Sequence, residues 1–236
     1  MEWLGMEKGV AIESRTVSKQ IERAQKAVEG RNFETRKHVL KYDDVMNKQR
    51  ETIYGLRRQL MFEPEHRDYL LGDSGVAKDL LDDLTNSMLN LQVERDKWDV
   101  NTYAAEIESI YAVDPARDAD VDFHKMTPNE ITEAIWKKAS ASYVAKEKIA
   151  GEESLRAYER YIMLNIIDSQ WKDHLASIDQ VKQGIGLVGY GQKDPLVEYK
   201  KQSFDMFQDM LDRIDTNTTK ALFHLEVVNR DEEEER

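Results

Sequence analysis

The chain has 236 residues, 34 Lys and Arg against 46 Asp and Glu, a net charge of −12 and no cysteine. That length supports a buried core in one large domain or two small ones; the charge argues against general nucleic-acid binding, and the missing cysteines remove disulfides and thiolate metal sites and fit a reducing compartment. With 40% apolar and 34% charged residues but only 11 Gly and 4 Pro, the composition points to long solvated helices, an all-α protein, and neither a run near the ~18 apolar residues of a bilayer span nor a signal-peptide pattern is present.

Residues 1–14 read as a connector broken by Gly5 and Gly9, with Ser14 a plausible N-cap. From 15 to 61 there is no proline, and the segment is basic, with twelve Lys and Arg against six acids. It carries two apolar registers, first Val17, Ile21, Ala24 and Val28, then Val39, Tyr42, Met46, Ile53, Leu56 and Leu60, with Gln49 filling the one gap. Gly30 and its polar neighbours separate them. The expectation is one long helix whose buried face changes partner near the middle, or a helix kinked there; a helix of that length needs support from outside itself.

Residues 62–75, punctuated by Pro64, Gly72 and Gly75, read as a turn or loop. An acidic helical region follows, with nineteen acids against ten bases over 62–150. One stripe is Val76, Leu80, Leu81, Leu84, Met88 and Leu91, a shorter one Tyr103, Ile107, Ile110 and Tyr111, and a polar loop comes after them. Thr127, Pro128 and Glu130 then spell a capping box with proline at the first helical position, opening a helix through Ile131, Ile135, Trp136 and Tyr143.

Residues 151–225 read as a helical hairpin. Its first arm runs from 152 to about 183 with Leu164, Ile167, Trp171, Leu175, Ile178 and Val181 as its seam; its second runs to about 225 with Val197, Phe204, Phe207, Leu211, Ile214, Thr218 and Leu222. An arm of about 32 residues is roughly 48 Å long, which would hold the intervening loop far from any core at the base. Four glycines, Gly184, Gly186, Gly189 and Gly191, stand in that loop (184–195), and Asp194 followed by Pro195 caps the second arm. Residues 226–236 form an acidic tail.

Gly184, Gly186 and Gly189 also spell G-x-G-x-x-G. The dinucleotide fingerprint needs a strand before it and a second strand ending in an acid, and here helices flank it, so the glycines are read as turn residues with positive φ. His174 beside the seam reads as structural, the histidines lack metal-ligand spacing, and no GxxxxGK[ST] phosphate cradle occurs. The basic helix has charges on all sides and few aromatics, so an acidic protein face suits it better than RNA. Tyr190 at the loop is either an exposed contact residue or packed back on Leu187 or Val188.

The stretch KAVEGRNFETRKHVLKYDDVMNKQRETIYGLR, with LGMEKGVAIESRTVSKQIERAQ before it, closely resembles the long scaffold helix of the SecA family of preprotein translocase motors, and LNIIDSQWKDHLASIDQVKQGIGLVGYGQKDPLVEYKKQSFDMF resembles that family's two-helix finger. The middle, 62–150, is weakly similar and corresponds by position to the family's helical wing domain. The resemblance implies an all-α fold in which a scaffold helix packs with an antiparallel finger and an inserted wing, within a longer ATP-driven motor that works at the cytoplasmic face of the inner membrane on the channel complex SecYEG. It implies that the loop residues Tyr190, Leu187, Val188, Gln192 and Lys193 contact the secretory preprotein, and that Arg36, Asn32 and Trp171 couple to the motor domains. ATP with magnesium belongs, by the same resemblance, to motor domains absent from this stretch, as does the preprotein-crosslinking domain; no cofactor or metal is expected here. Gly191 stands where relatives often have alanine.

Overall fold

In the computed structural model the residues described are 15–62, 67–72, 75–186 and 194–227. They fold as helices: α1 Arg15–Phe62, α2 Arg67–Leu71, α3 Val76–Met88, α4 Val100–Tyr111, α5 Pro115–Asp118, α6 Pro128–Ala150, α7 Glu152–Gly184 and α8 Pro195–Phe223, with one 3-10 turn at Arg95–Lys97. No strand occurs among the described residues.

α1 runs unbroken through Gly30. Only its C-terminal half is packed, through Tyr42, Gln49, Ile53 and Leu60, against α7 and α8; every residue from 15 to 41 is exposed. The first apolar register therefore has no partner here, and Val17, Ile21, Val28 and Val39 face solvent. At ~100° per residue both registers fall in one sector about 100° wide, so they share one side of the helix and the covering on that side ends.

α7 and α8 pack along each other as the hairpin, and α1 runs antiparallel to α7, with Asp43 pairing with Lys182 at 3.2 Å and Arg57 pairing with Asp168. The first arm's seam is as expected at Ile167, Trp171 and Ile178, joined by Met163 and His174. The second arm's is as expected at Ile214, Thr218 and Leu222 and shifted before them. Val197 and Phe204, read as seam residues, are 61% and 63% exposed, and Tyr199, Ser203 and Met210 are buried instead. α8 packs on α1 as well as on α7 and, farther along, on α3 and α4, so its buried face is the compromise between several neighbours rather than the densest apolar row.

The region between α1 and the hairpin corrects two further expectations. Residues 62–75 contain α2, where Leu70 is buried against α3. In α3 the deepest residues are Ala77, Leu81 and Thr85; of these only Leu81 belongs to the expected stripe, whose Val76, Leu80, Leu84 and Met88 are half-buried, and Leu91 beyond the helix end is exposed. The expected tyrosines are deep, and their hydroxyls are used: Tyr103 shares a hydrogen bond with Thr85 at 2.8 Å and Tyr111 donates to the Ala77 carbonyl at 2.7 Å, as buried phenols require. The capping box is formed as read, with Glu130 accepting from the Thr127 amide at 2.7 Å.

One hydrophobic cluster joins these parts. It runs from Ile53 and Leu60 of α1 through Leu81, Tyr103 and Ile131 to Trp171 and Ile214 of the hairpin. A second, smaller cluster of Tyr42, Ile178, Ile185 and Tyr199 lies toward the far end of the hairpin. The hairpin is thus not a free arm with all its packing at the base.

Candidate functional site

The hairpin's far end is built from the last turn of α7 and the first of α8. α7 stays helical to Gly184, and its cap, Ile185, keeps right-handed helical angles and is buried against Tyr42 and Tyr199. The Asp194 carboxylate accepts from the Leu196 amide at 2.8 Å, and Pro195 fills the first position of α8, where no amide is needed. Gly184 and Gly186 do not have the positive φ expected of turn glycines, and a β-carbon at either would meet open space. The helix simply continues through the first of them. Among the described residues the one glycine with positive φ is Gly151, at +79°, the single residue between α6 and α7. Leu187, Val188, Gly189, Tyr190, Gly191, Gln192 and Lys193 lie outside the described residues, as do the connector 1–14 and most of the acidic tail.

The three residues read as motor-coupling divide. Asn32 and Arg36 are exposed one turn apart on α1, where Arg36 Nε donates to the Asn32 carbonyl at 3.4 Å. Both belong to the half of α1 that nothing covers. Trp171 is 7% exposed, its ring stacked on His174 at 5.5 Å and edge-on to Phe207 at 6.5 Å. Its contacts are internal, so any coupling through it passes by packing and not by a surface contact.

His174 is structural, as its place beside the seam suggested. Its Nε2 lies 2.9 Å from Gln49 Oε1, Phe207 closes its other side, and burial, then Arg213, holds the imidazole below its ordinary pKa. At the joint between α6 and α7 lies a largely buried ion network that no local pattern of residues announces. Arg156 pairs with Glu159 at 2.9 Å and with Glu147, Arg67 reaches Glu147 at 3.4 Å, and the Tyr143 hydroxyl donates to Glu159. Burial pushes the Glu159 carboxyl up, against the pull of Tyr143 and Arg156. A capping glycine flanked by i, i+3 charges reads like any solvated helix end, so only the fold reveals that these charges are covered.

Among the described residues no group of three or more His, Asp or Glu is placed to hold a metal, and no helix is long and apolar enough to cross a membrane. The molecule is defined by its architecture: a helical scaffold carrying a long antiparallel hairpin, with a compact helical insert sharing its core. A family model described as SecA wing and scaffold domain matches residues 11–226. The chain belongs to that family. It is similar to the protein translocase subunit SecA of Acidobacterium capsulatum, 43% identical over 228 residues, which cover 97% of this chain and 23% of that protein. The subunits of Koribacter versatilis and Solibacter usitatus are each 42% identical, over 96% and 95% of this chain and 22% and 23% of their own lengths. The chain therefore spans under a quarter of the length of these relatives.

Proposed function

We propose that this chain is the force-transmitting part of a protein-translocation motor: α1 receives conformational change from ATP-hydrolysing domains, and the hairpin α7–α8 delivers it to a secretory polypeptide at the channel complex. The observation that carries the reading is the division of α1. Its apolar face is covered by the hairpin from Tyr42 onward and bare from Val17 to Val39, which is how a shaft looks when one end is bolted to the tool and the other waits for the drive. Asn32 and Arg36 stand on the bare half and are the residues assigned to motor contact. Trp171 serves behind them by holding the hairpin to the shaft. The polypeptide contact is assigned to Tyr190 with Leu187, Val188, Gln192 and Lys193. ATP and magnesium are held, on this reading, by parts of the relatives' length that this chain does not span.

The test is Tyr190→Ala in the full-length translocase. Preprotein transport into channel-containing vesicles should fall at least tenfold while basal ATP hydrolysis stays within twofold. Full transport by the variant would remove the assigned contact. A second reading, a helical adaptor that binds acidic protein partners, is favoured by the charge of the bare half: residues 15–41 hold eight Lys and Arg against three Glu. Binding of an acidic partner by this chain alone, lost at high salt and on Arg36→Glu, would support it.

A further inference from the structure

Where α1 meets both arms of the hairpin, the buried contacts are apolar except at one level. There Gln49 of α1, His174 of α7 and Ser203 of α8 are 6%, 2% and 0% exposed. Gln49 Nε2 donates to the Ser203 main-chain carbonyl at 2.8 Å, and Gln49 Oε1 lies 2.9 Å from His174 Nε2. The carbonyl can only accept, so the amide nitrogen must face α8 and its oxygen must face α7. His174 therefore carries its proton on Nε2, which suits a buried neutral imidazole. Each component has a geometric reason to be what it is. The small side chain of Ser203 lets an amide reach the backbone of α8, and Trp171 and Phe207 box the imidazole so that it points at α1.

The rest of the interface does not fix one alignment. α7 and α8 present apolar residues at three- and four-residue steps, and α1 offers the same spacing. Beyond Tyr42 the same side of α1 offers Val39, uncovered, one turn on, and after Thr35 and Arg31 the likewise uncovered Val28 and Ile21. A slide of one turn, about 5.4 Å, would find new apolar surface on α1 rather than run out of it. What such a slide could not replace is the polar layer. It would set the Gln49 amide against α7 side chains such as Trp171 or Ile178, and the His174 imidazole against α1 side chains such as Met46 or Ile53, leaving buried donors and acceptors without partners.

We propose that Gln49 is a positioning residue: with His174 and the Ser203 carbonyl it forms a polar key that selects one register of the scaffold helix against both arms, and so fixes where along α1 the hairpin presents its far end. Single buried polar side chains do this in coiled coils, at some cost in stability. What the register serves rests on the proposed function; the register itself is measurable on this chain without transport, so the two can fail separately.

The chain has no cysteine, so Gln59→Cys on α1 and Gln183→Cys on α7, both exposed and roughly 25 Å apart along the helix axis, so that a slide changes their distance by nearly its full length, can carry spin labels for pulsed distance measurement. The parent should give one narrow distance. Gln49→Leu should stay helical yet give a broadened distribution or a second distance displaced by about one turn, 5.4 Å. His174→Leu should do the same, while His174→Gln, which can again offer an N–H to Gln49, should restore the single distance, and Ser203→Ala, which keeps the carbonyl, should not disturb it. An unchanged narrow distance in Gln49→Leu and His174→Leu would overturn the proposal. So would loss of folding in Gln49→Leu, because the layer would then be a stability element and not a register device.

Discussion

Asp215 shows how one side chain can work against the fold that holds it. It sits on α8 with its carboxyl pushed up to about 6, by burial first and by Asp212 second, and it in turn helps to push the Tyr69 hydroxyl to about 12. A folded-state value above the ordinary 3.8 means that the native protein prefers the protonated form. The penalty is absent below about pH 4, grows between 4 and 6, and is complete above 6, where two units correspond to about 3 kcal/mol. Asp215→Asn should therefore raise stability by up to about 3 kcal/mol at pH 7.5, with the gain shrinking toward zero near pH 4, as read from urea unfolding at the two values. At this scale the sequence was informative where a residue's role is local. Thr127 with Glu130, and Asp194 with Pro195, are caps in the sequence and caps in the fold. Asp215, Gln49 and Arg156 were opaque, because what matters about each is a neighbour more than forty residues away or a burial that no local pattern encodes.

For single elements, α1 is the clearest case. Its existence followed from the proline-free run and its seam, but the sequence could not say which half would be covered, since both halves present the same face. The uncovered half keeps its helical hydrogen bonds with no tertiary packing behind them, and such segments open more readily. Amides of residues 30–38 should exchange faster than those of 53–60 by hydrogen–deuterium exchange; equal protection would mean that the bare half needs no neighbour. α8 teaches the complementary lesson. Counting apolar side chains selected Val197 and Phe204, whereas the helix buries Tyr199 and Ser203. A small polar residue at a close helix crossing carries no hydrophobic signal, although it is what lets the crossing be close. Phe204 instead lines an open groove of about 700 Å³ with Val45, Phe207 and Lys200.

Taken whole, the molecule is less divided than its sequence suggests. The shift from basic to acidic composition near residue 62 reads as a domain boundary, yet the main cluster crosses it, joining Ile53 and Leu60 to Leu81, Tyr103, Ile131 and Trp171. Unfolding should then be one cooperative event. With the other tryptophans replaced by Phe, Trp98 in the insert and Trp171 in the hairpin should report the same urea midpoint, and separate midpoints would reveal two independent cores. The small cluster of Tyr42, Ile178, Ile185 and Tyr199 bears on mechanics in another way. A beam clamped only at its root bends in proportion to the cube of its free length, so an unsupported hairpin would absorb a push as flexure. Here a second support stands near the far end, where Ile185 and Tyr199 pack on Tyr42, so both described arms are held close to their ends. On the proposed function, a displacement of α1 would reach the end of the hairpin as translation, with little lost to bending on the way.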